Sequence, residues 1–176
     1  GGARSTPRQS RSVRASDRKN TALGCWLDSV VVLTILREHV DAIIAHARRD
    51  HPDEACGIIA GPIGSDQPTR HIEMLNAAMS PTFYEFDSGD LLRLYREMDD
   101  NDEEPVVIYH SHTATEAFPS RTDQNLAAEP NAHYVLVSTR DGADAEGTEI
   151  DFRSFRIVDS VVTEEEVQVV DRYNNE

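Results

Sequence analysis

The chain has 176 residues, 39% hydrophobic and 28% charged, enough for one domain of ordinary size and too few for two. Its 17 basic and 32 acidic side chains leave a formal net charge of −15, which argues against a non-specific nucleic-acid binder. Two cysteines, Cys25 and Cys56, cannot make a disulfide framework, so a reduced, cytoplasmic protein is expected, and no apolar run reaches the roughly 18–20 residues of a membrane span.

Residues 1–27 read as a basic N-terminal extension. Up to Asn20 the segment is rich in Ser and Arg and nearly free of large apolar side chains, so it cannot repay its ordering entropy and is expected to be disordered. The basic start before Ala22-Leu23-Gly24-Cys25 has the outline of a lipoprotein signal, but the apolar run follows Cys25 instead of preceding it and is broken by Asp28. One domain is expected over 28–171, followed by a short tail over 172–176.

Residues 29–35 are rich in Val and predict a strand. A helix follows over 37–50, with Leu36, Val40, Ile43, Ile44 and Ala47 on one face, ended by His51-Pro52. A short apolar strand over 56–60 is closed by Gly61-Pro62, and 70–75 is its expected partner. Ser88 is the expected N-cap of a second helix over 89–100, whose apolar face is Leu91, Leu92, Tyr95 and Met98. Residues 101–105 read as a polar loop, 106–112 as a buried strand, 120–128 as a short helix and 133–139 as another strand. An acidic loop over 141–151 leads to a closing hairpin of 152–158 and 161–170. The pattern predicts an α/β domain with a mixed central sheet flanked by helices.

The chemistry concentrates in Tyr109-His110-Ser111-His112 and the residues after it. His110 and His112 are two apart on a predicted strand, so both imidazoles leave the same face near its C-terminal end. Two imidazoles on one rigid element suit a borderline metal such as zinc, and a carboxylate from elsewhere could complete a three-ligand set with one position open for water. The plainer reading is two polar residues at a strand end. Ser120-Arg121-Thr122-Asp123 has the form of a capping box, and taken alone that reading wins; a helix N-terminus aimed at a metal would reconcile the two. Glu54 lies just before the short apolar strand, where it is either a buried carboxylate acting on water or a solvated loop residue. Cys56, opening a run of Gly and Ile, reads as a small buried hydrophobe and not as a nucleophile.

Together these residues resemble the JAMM (MPN-plus) metalloprotease family, whose signature is a Glu, then His-x-His, then Ser-x-x-Asp. Glu54, His110, His112, Ser120 and Asp123 match it, with seven residues between His112 and Ser120. Many members carry Pro after the second His, where this chain has Thr113. Within the family, His46 to Gly57, Ser80 to Tyr84, Tyr109 to Ala117 and His133 to Arg140 resemble the bacterial sulfur-carrier-protein–cysteine hydrolases, in which that Thr is normal.

The resemblance implies a single JAMM/MPN-like (cytidine-deaminase-like) domain holding one Zn2+ per chain through His110, His112 and Asp123, with Glu54 and Ser120 catalytic. It implies hydrolysis of the amide bond between cysteine and the C-terminal Gly-Gly of a ubiquitin-like sulfur-carrier protein, releasing cysteine for cysteine biosynthesis, with no nucleic acid and no membrane involved. Phe83, Tyr84, Thr113 and Thr115 are the expected walls of a narrow channel for that tail. An isopeptidase that removes a ubiquitin-like modifier from lysine would use the same groups. A metal-free scaffold of the same fold would lack the His pair or the Asp, and this chain keeps all of them.

Overall fold

The computed structural model describes residues 32–141 and 149–174. The extension expected over 1–27, the beginning of the first strand, most of the acidic loop and the last two residues lie outside the described residues.

The chain alternates strands and helices before ending in strands: β1 Val32–Leu36, α1 Arg37–Asp50, β2 Cys56–Pro62, β3 Arg70–Met74, α2 Ser88–Asp100, β4 Glu103–His112, α3 Arg121–Leu126, β5 His133–Ser138, β6 Asp151–Val158 and β7 Val161–Val170. One seven-stranded sheet runs in the order β1-β7-β6-β5-β4-β2-β3. The β1/β7 and β4/β5 pairs are parallel and the others antiparallel, so the sheet is mixed, as expected. Among the described residues no helix is long and apolar enough to cross a membrane.

The two sheet faces carry separate cores. Ile43 and Ala47 of α1 pack with Leu33, Ile35, Ile59, Val107, Tyr109, Val135 and Val137 on one face. Leu94 and Met98 of α2 pack with Cys56, Ile58, Ile108, Leu136 and Phe155 on the other. Alternation along β4 therefore turns Val107, Tyr109 and Ser111 toward α1, and Ile108, His110 and His112 toward the α2 side. The same covering of both faces makes β4 buried from Val106 to His112.

Several expected boundaries move. Leu36 ends β1 and is not part of the α1 face, which instead buries His39 and His46 beside Ile43 and Ala47. Gly61 and Pro62 stay inside β2, paired with Glu104 and Glu103 of β4, and the Gln67 carbonyl packs where a side chain at Gly61 would stand. Asp87, not Ser88, caps α2 by accepting the Asp90 N–H at 2.9 Å. Leu92 is exposed because it lies a third of a turn from the line of Leu91, Leu94 and Met98. The polar residues 103–105 belong to β4, paired with Ala60, Gly61 and Pro62 past a register shift that accommodates Pro105. Helix α3 stops at Leu126, short of the expected 128, with Ala127 already extended. The closing hairpin forms as expected, turning through Asp159 and Ser160 at φ of 50° and 62°, the left-handed pair of a type I′ turn.

Candidate active site

Strand β4 delivers both imidazoles to one spot. His110 Nε2 and His112 Nε2 are 3.1 Å apart, and both rings are nearly inaccessible. Nδ1 of His112 donates to the Glu116 carbonyl at 2.9 Å, with Thr115 Oγ1 at 3.1 Å, which leaves Nε2 as the free lone pair. The Tyr84 ring stacks on His110 with centroids 4.4 Å apart and planes 26° from parallel.

Helix α3 supplies the carboxylate. Asp123 Oδ2 lies 3.3 Å from each histidine Nε2. Ligands about 2.0 Å from a tetrahedral zinc stand about 3.3 Å from one another, so three donor atoms at 3.1–3.3 Å are spaced to share one such ion. Among the described residues this is the one such grouping of His, Cys, Asp and Glu able to hold a metal. Burial pushes the His110 pKa down, favouring the neutral form a ligand needs. Burial also works against the charged forms of Asp123 and His112. Hydrogen bonds from His110 and His112 overcome it for Asp123 and hold it well below the usual carboxylate range, while the bonds to Asp123 and to the Glu116 carbonyl raise His112.

Glu54 reaches the same face from just before β2. Cys56 pairs with His110, and the Ser111 N–H donates to the Ala55 carbonyl at 2.9 Å, so the antiparallel register brings Glu54 opposite His112. Ser111 Oγ accepts the Ala55 N–H at 2.8 Å and completes the clamp. Glu54 is only 5% exposed. Burial pushes its pKa up to about 7; the His112 charge opposes that rise and the Asp123 charge adds to it. The solvated-loop reading of Glu54 is thus excluded. Cys56 is fully buried and its thiol is pushed up to about 12 by that burial, which matches a small core side chain.

The expected channel residues are split by role. Phe83 and Tyr84, with Phe86, Leu91, Tyr95 and Leu126, line a mostly apolar hollow of about 420 Å³. Thr113 donates its hydroxyl to the Pro81 carbonyl at 2.8 Å, and Thr115 braces His112, so both threonines hold the site's own loops together. Sequence reasoning missed Ser111, Ser138 and Asn76. Ser138 Oγ donates to the Thr115 carbonyl at 2.5 Å, next to the residue that orients His112. Asn76 carried no signal beyond being an Asn two residues past a strand.

Comparisons with known proteins agree with this geometry. Residues 36–158 match the family described as prokaryotic homologs of the JAB domain. The chain is 64% identical over 145 residues to a CysO-cysteine peptidase of Mycobacterium tuberculosis, covering 82% of this chain and 96% of that protein. It is 30% identical over 111 residues to a desampylase of Haloferax volcanii, covering 60% of this chain and 80% of that one. The fold superimposes on the solution structure of a protein from Desulfitobacterium hafniense with a TM-score of 0.67 at 30% identity, over 81% of this chain and 94% of the other. The sequence match and the shared fold together establish that the chain belongs to the prokaryotic homologs of the JAB domain.

Proposed function

We propose that this protein is a zinc-dependent hydrolase that cleaves the amide bond joining cysteine to the C-terminal glycine of a ubiquitin-like sulfur carrier, yielding free cysteine and the carrier's carboxylate. The observation that carries the reading is the convergence of His110 Nε2, His112 Nε2 and Asp123 Oδ2, with the buried Glu54 beside them. The 64% identity to a protein named CysO-cysteine peptidase supports the choice of substrate.

His110, His112 and Asp123 would hold the metal. Zinc supplies Lewis acidity there, lowering the pKa of water to about 7 and polarising a carbonyl. Glu54 takes the proton of the attacking water and returns it to the amine as the C–N bond breaks. A carboxylate can act as the base in one step and, once protonated, as the acid in the next. Ser120 Oγ accepts the Asp123 N–H, which leaves its own hydrogen to donate to the developing oxyanion. One such donor is worth about 3–4 kcal/mol in the transition state. The His112-to-Glu116 bond keeps that imidazole in the required tautomer throughout.

The test is Glu54→Gln. It should keep one zinc per chain and lose essentially all release of cysteine from a carrier–cysteine conjugate, followed by mass spectrometry; turnover at the wild-type rate would show that another group moves the proton. The likeness to a desampylase favours a second substrate, a modifier linked to a lysine side chain, attacked by the same groups. Parallel assays on carrier–cysteine and carrier–lysine conjugates separate the two by their relative kcat/KM.

A further inference from the structure

The segment between β3 and α2 folds over the start of β2, and one buried side chain fastens it. Asn76 is 5% exposed. Its Nδ2 donates to the carbonyls of Glu54 and Phe83, each at 3.0 Å. Its Oδ1 accepts the N–H of Ala78 at 3.0 Å and of Glu85 at 3.1 Å. An amide has two hydrogens to give and two lone pairs to receive with, so every bonding position of Asn76 is in use. From the same strap, the Ser80 carbonyl accepts the Glu54 N–H at 2.9 Å. Both main-chain polar groups of Glu54 therefore bond to the strap over 76–86. That strap also carries Tyr84, the ring stacked on His110, and its Pro81 carbonyl takes the Thr113 hydroxyl.

We propose that Asn76 is a positioning residue for the hydrolysis, tying the Glu54 main chain to the strap that lays Tyr84 on His110. The carboxyl that moves the proton and the ring that backs a metal-binding imidazole are then set by one buried amide. The inference rests on the reading of Glu54 given above. Three of the four bonds made by Asn76 close the strap upon itself, a task already shared by the Ala77 N–H to Glu85 carbonyl bond at 2.8 Å and the bridge between Asn76 and Phe86. Only the bond to Glu54 leaves the strap, and it leads to the reacting carboxyl.

The two halves of the amide can be separated. Asn76→Asp has the same shape and keeps an acceptor for Ala78 and Glu85 but loses both donated bonds. The zinc-loaded full chain is assayed on the carrier–cysteine conjugate at pH 8.5, where the new carboxyl is ionised. Amide hydrogen exchange is followed at Glu54, Ala78 and Glu85. A misplaced proton carrier costs about 10²-fold, so kcat should fall by about that factor with KM within about 3-fold and zinc still at one per chain. Exchange at Glu54 should speed up about 10-fold or more, with Ala78 and Glu85 little changed, as expected for local opening. If the Asp variant does not fold, Asn76→Ser, smaller and uncharged, should show the same loss of kcat at full zinc occupancy.

A wild-type kcat in the variant, or a loss that merely follows loss of zinc, overturns the proposal. So does unaltered Glu54 exchange, whether or not the conjugate is a substrate. Failure of the wild-type protein to release cysteine counts instead against the function proposed above, and the exchange result alone then decides the role of Asn76.

Discussion

Ser120 and Asp123 hold each other twice. Ser120 Oγ accepts the Asp123 N–H at 3.1 Å, and Asp123 Oδ2 accepts the Ser120 N–H at 2.7 Å. That same Oδ2 faces both histidine Nε2 atoms. A capping box has thus become a mount for a carboxylate: the helix start fixes the side chain, and its remaining lone pair is presented to the imidazoles. The capping reading of Ser-x-x-Asp is borne out, and the same bonds aim the carboxylate at the imidazoles.

Ser120→Ala tests how the serine divides its work. The bond from the Ser120 N–H to Asp123 is a main-chain donation and survives the change, so zinc stoichiometry should stay at one per chain. Loss of the cap should cost about 1 kcal/mol in thermal unfolding. Loss of the oxyanion donor should lower kcat by about 10²–10³-fold. Ser120→Thr, which keeps the hydroxyl, should recover the stability. A drop in kcat below about 5-fold in the alanine variant would reduce Ser120 to a cap.

Metal removal should register in stability as well as in activity. A ligand that binds only the folded state stabilises it by about 2.7 kcal/mol at 100 times its Kd. Stripping zinc with a chelator should therefore lower the thermal midpoint and abolish turnover, and added zinc should restore both. Asp123→Ala should weaken this rescue, since one of three donor atoms is gone. A midpoint unaffected by chelator and zinc alike would count against a metal at this position.

Legibility in the sequence followed locality. Helix α1 has the bounds its apolar spacing predicts, and His110 and His112 share a face because strand alternation allows nothing else. Strand β4 starts at Glu103 instead of Val106 because its polar first turn gains order from pairing with β2, which composition does not reveal. The burial of Glu54 depends on Asn76 and Ser80, more than 20 residues away, folding back over it. The parallel docking of β1 on β7 joins opposite ends of the domain. Such non-local closures leave no periodic signal, and that is why Asn76 went unread while the His-x-His and Ser-x-x-Asp residues did not.

At the far end of β5, His133 is fully buried between two carboxylates. Its Nδ1 bonds Glu165, which also accepts from Ser154 Oγ at 2.7 Å, and its Nε2 bonds Asp66 at 2.8 Å, with Arg156 alongside. Burial opposes the charge on His133, but the bonds to Asp66 and Glu165 outweigh it and raise its pKa above 6.5. A raised folded-state pKa stabilises fully below the unfolded value and ceases to do so as pH climbs through the folded value. Asp66 is also opposed by burial but lowered below 3.8 by its bond to His133, so its share is present above that pH and lost in stronger acid. His133→Gln should therefore cost about 3 kcal/mol at pH 5–6, and the deficit should shrink toward pH 9. Melting curves of both proteins across pH 4–9 test the sign; a gap that widens with pH would contradict it.

Tyr109 and Gly57 make the last prediction, on the opposite sheet face from the histidines. The Tyr109 hydroxyl is shared by His46 Nδ1 at 2.7 Å and His71 Nε2 at 2.9 Å, so the ring is held at its tip by α1 and β3 together. The ring lies flat over Gly57, where an added Cβ would stand 2.5 Å from both Cε1 and Cζ. Real Cβ atoms do not approach that closely, and the two histidines stop the ring from swinging aside. Gly57→Ala should destabilise by at least the 1–3 kcal/mol typical of roughly one extra methyl in a packed core. Removing only the hydroxyl with Tyr109→Phe takes away the nearest clashing atom and the tether to the two histidines but leaves both ring carbons in place, so it should relieve the cost only in part. In a Tyr109→Ala background the space is open, so Gly57→Ala should cost less than about 0.5 kcal/mol. A double-mutant cycle by denaturant unfolding measures the difference, and additive costs would mean that the ring does not rest on Gly57.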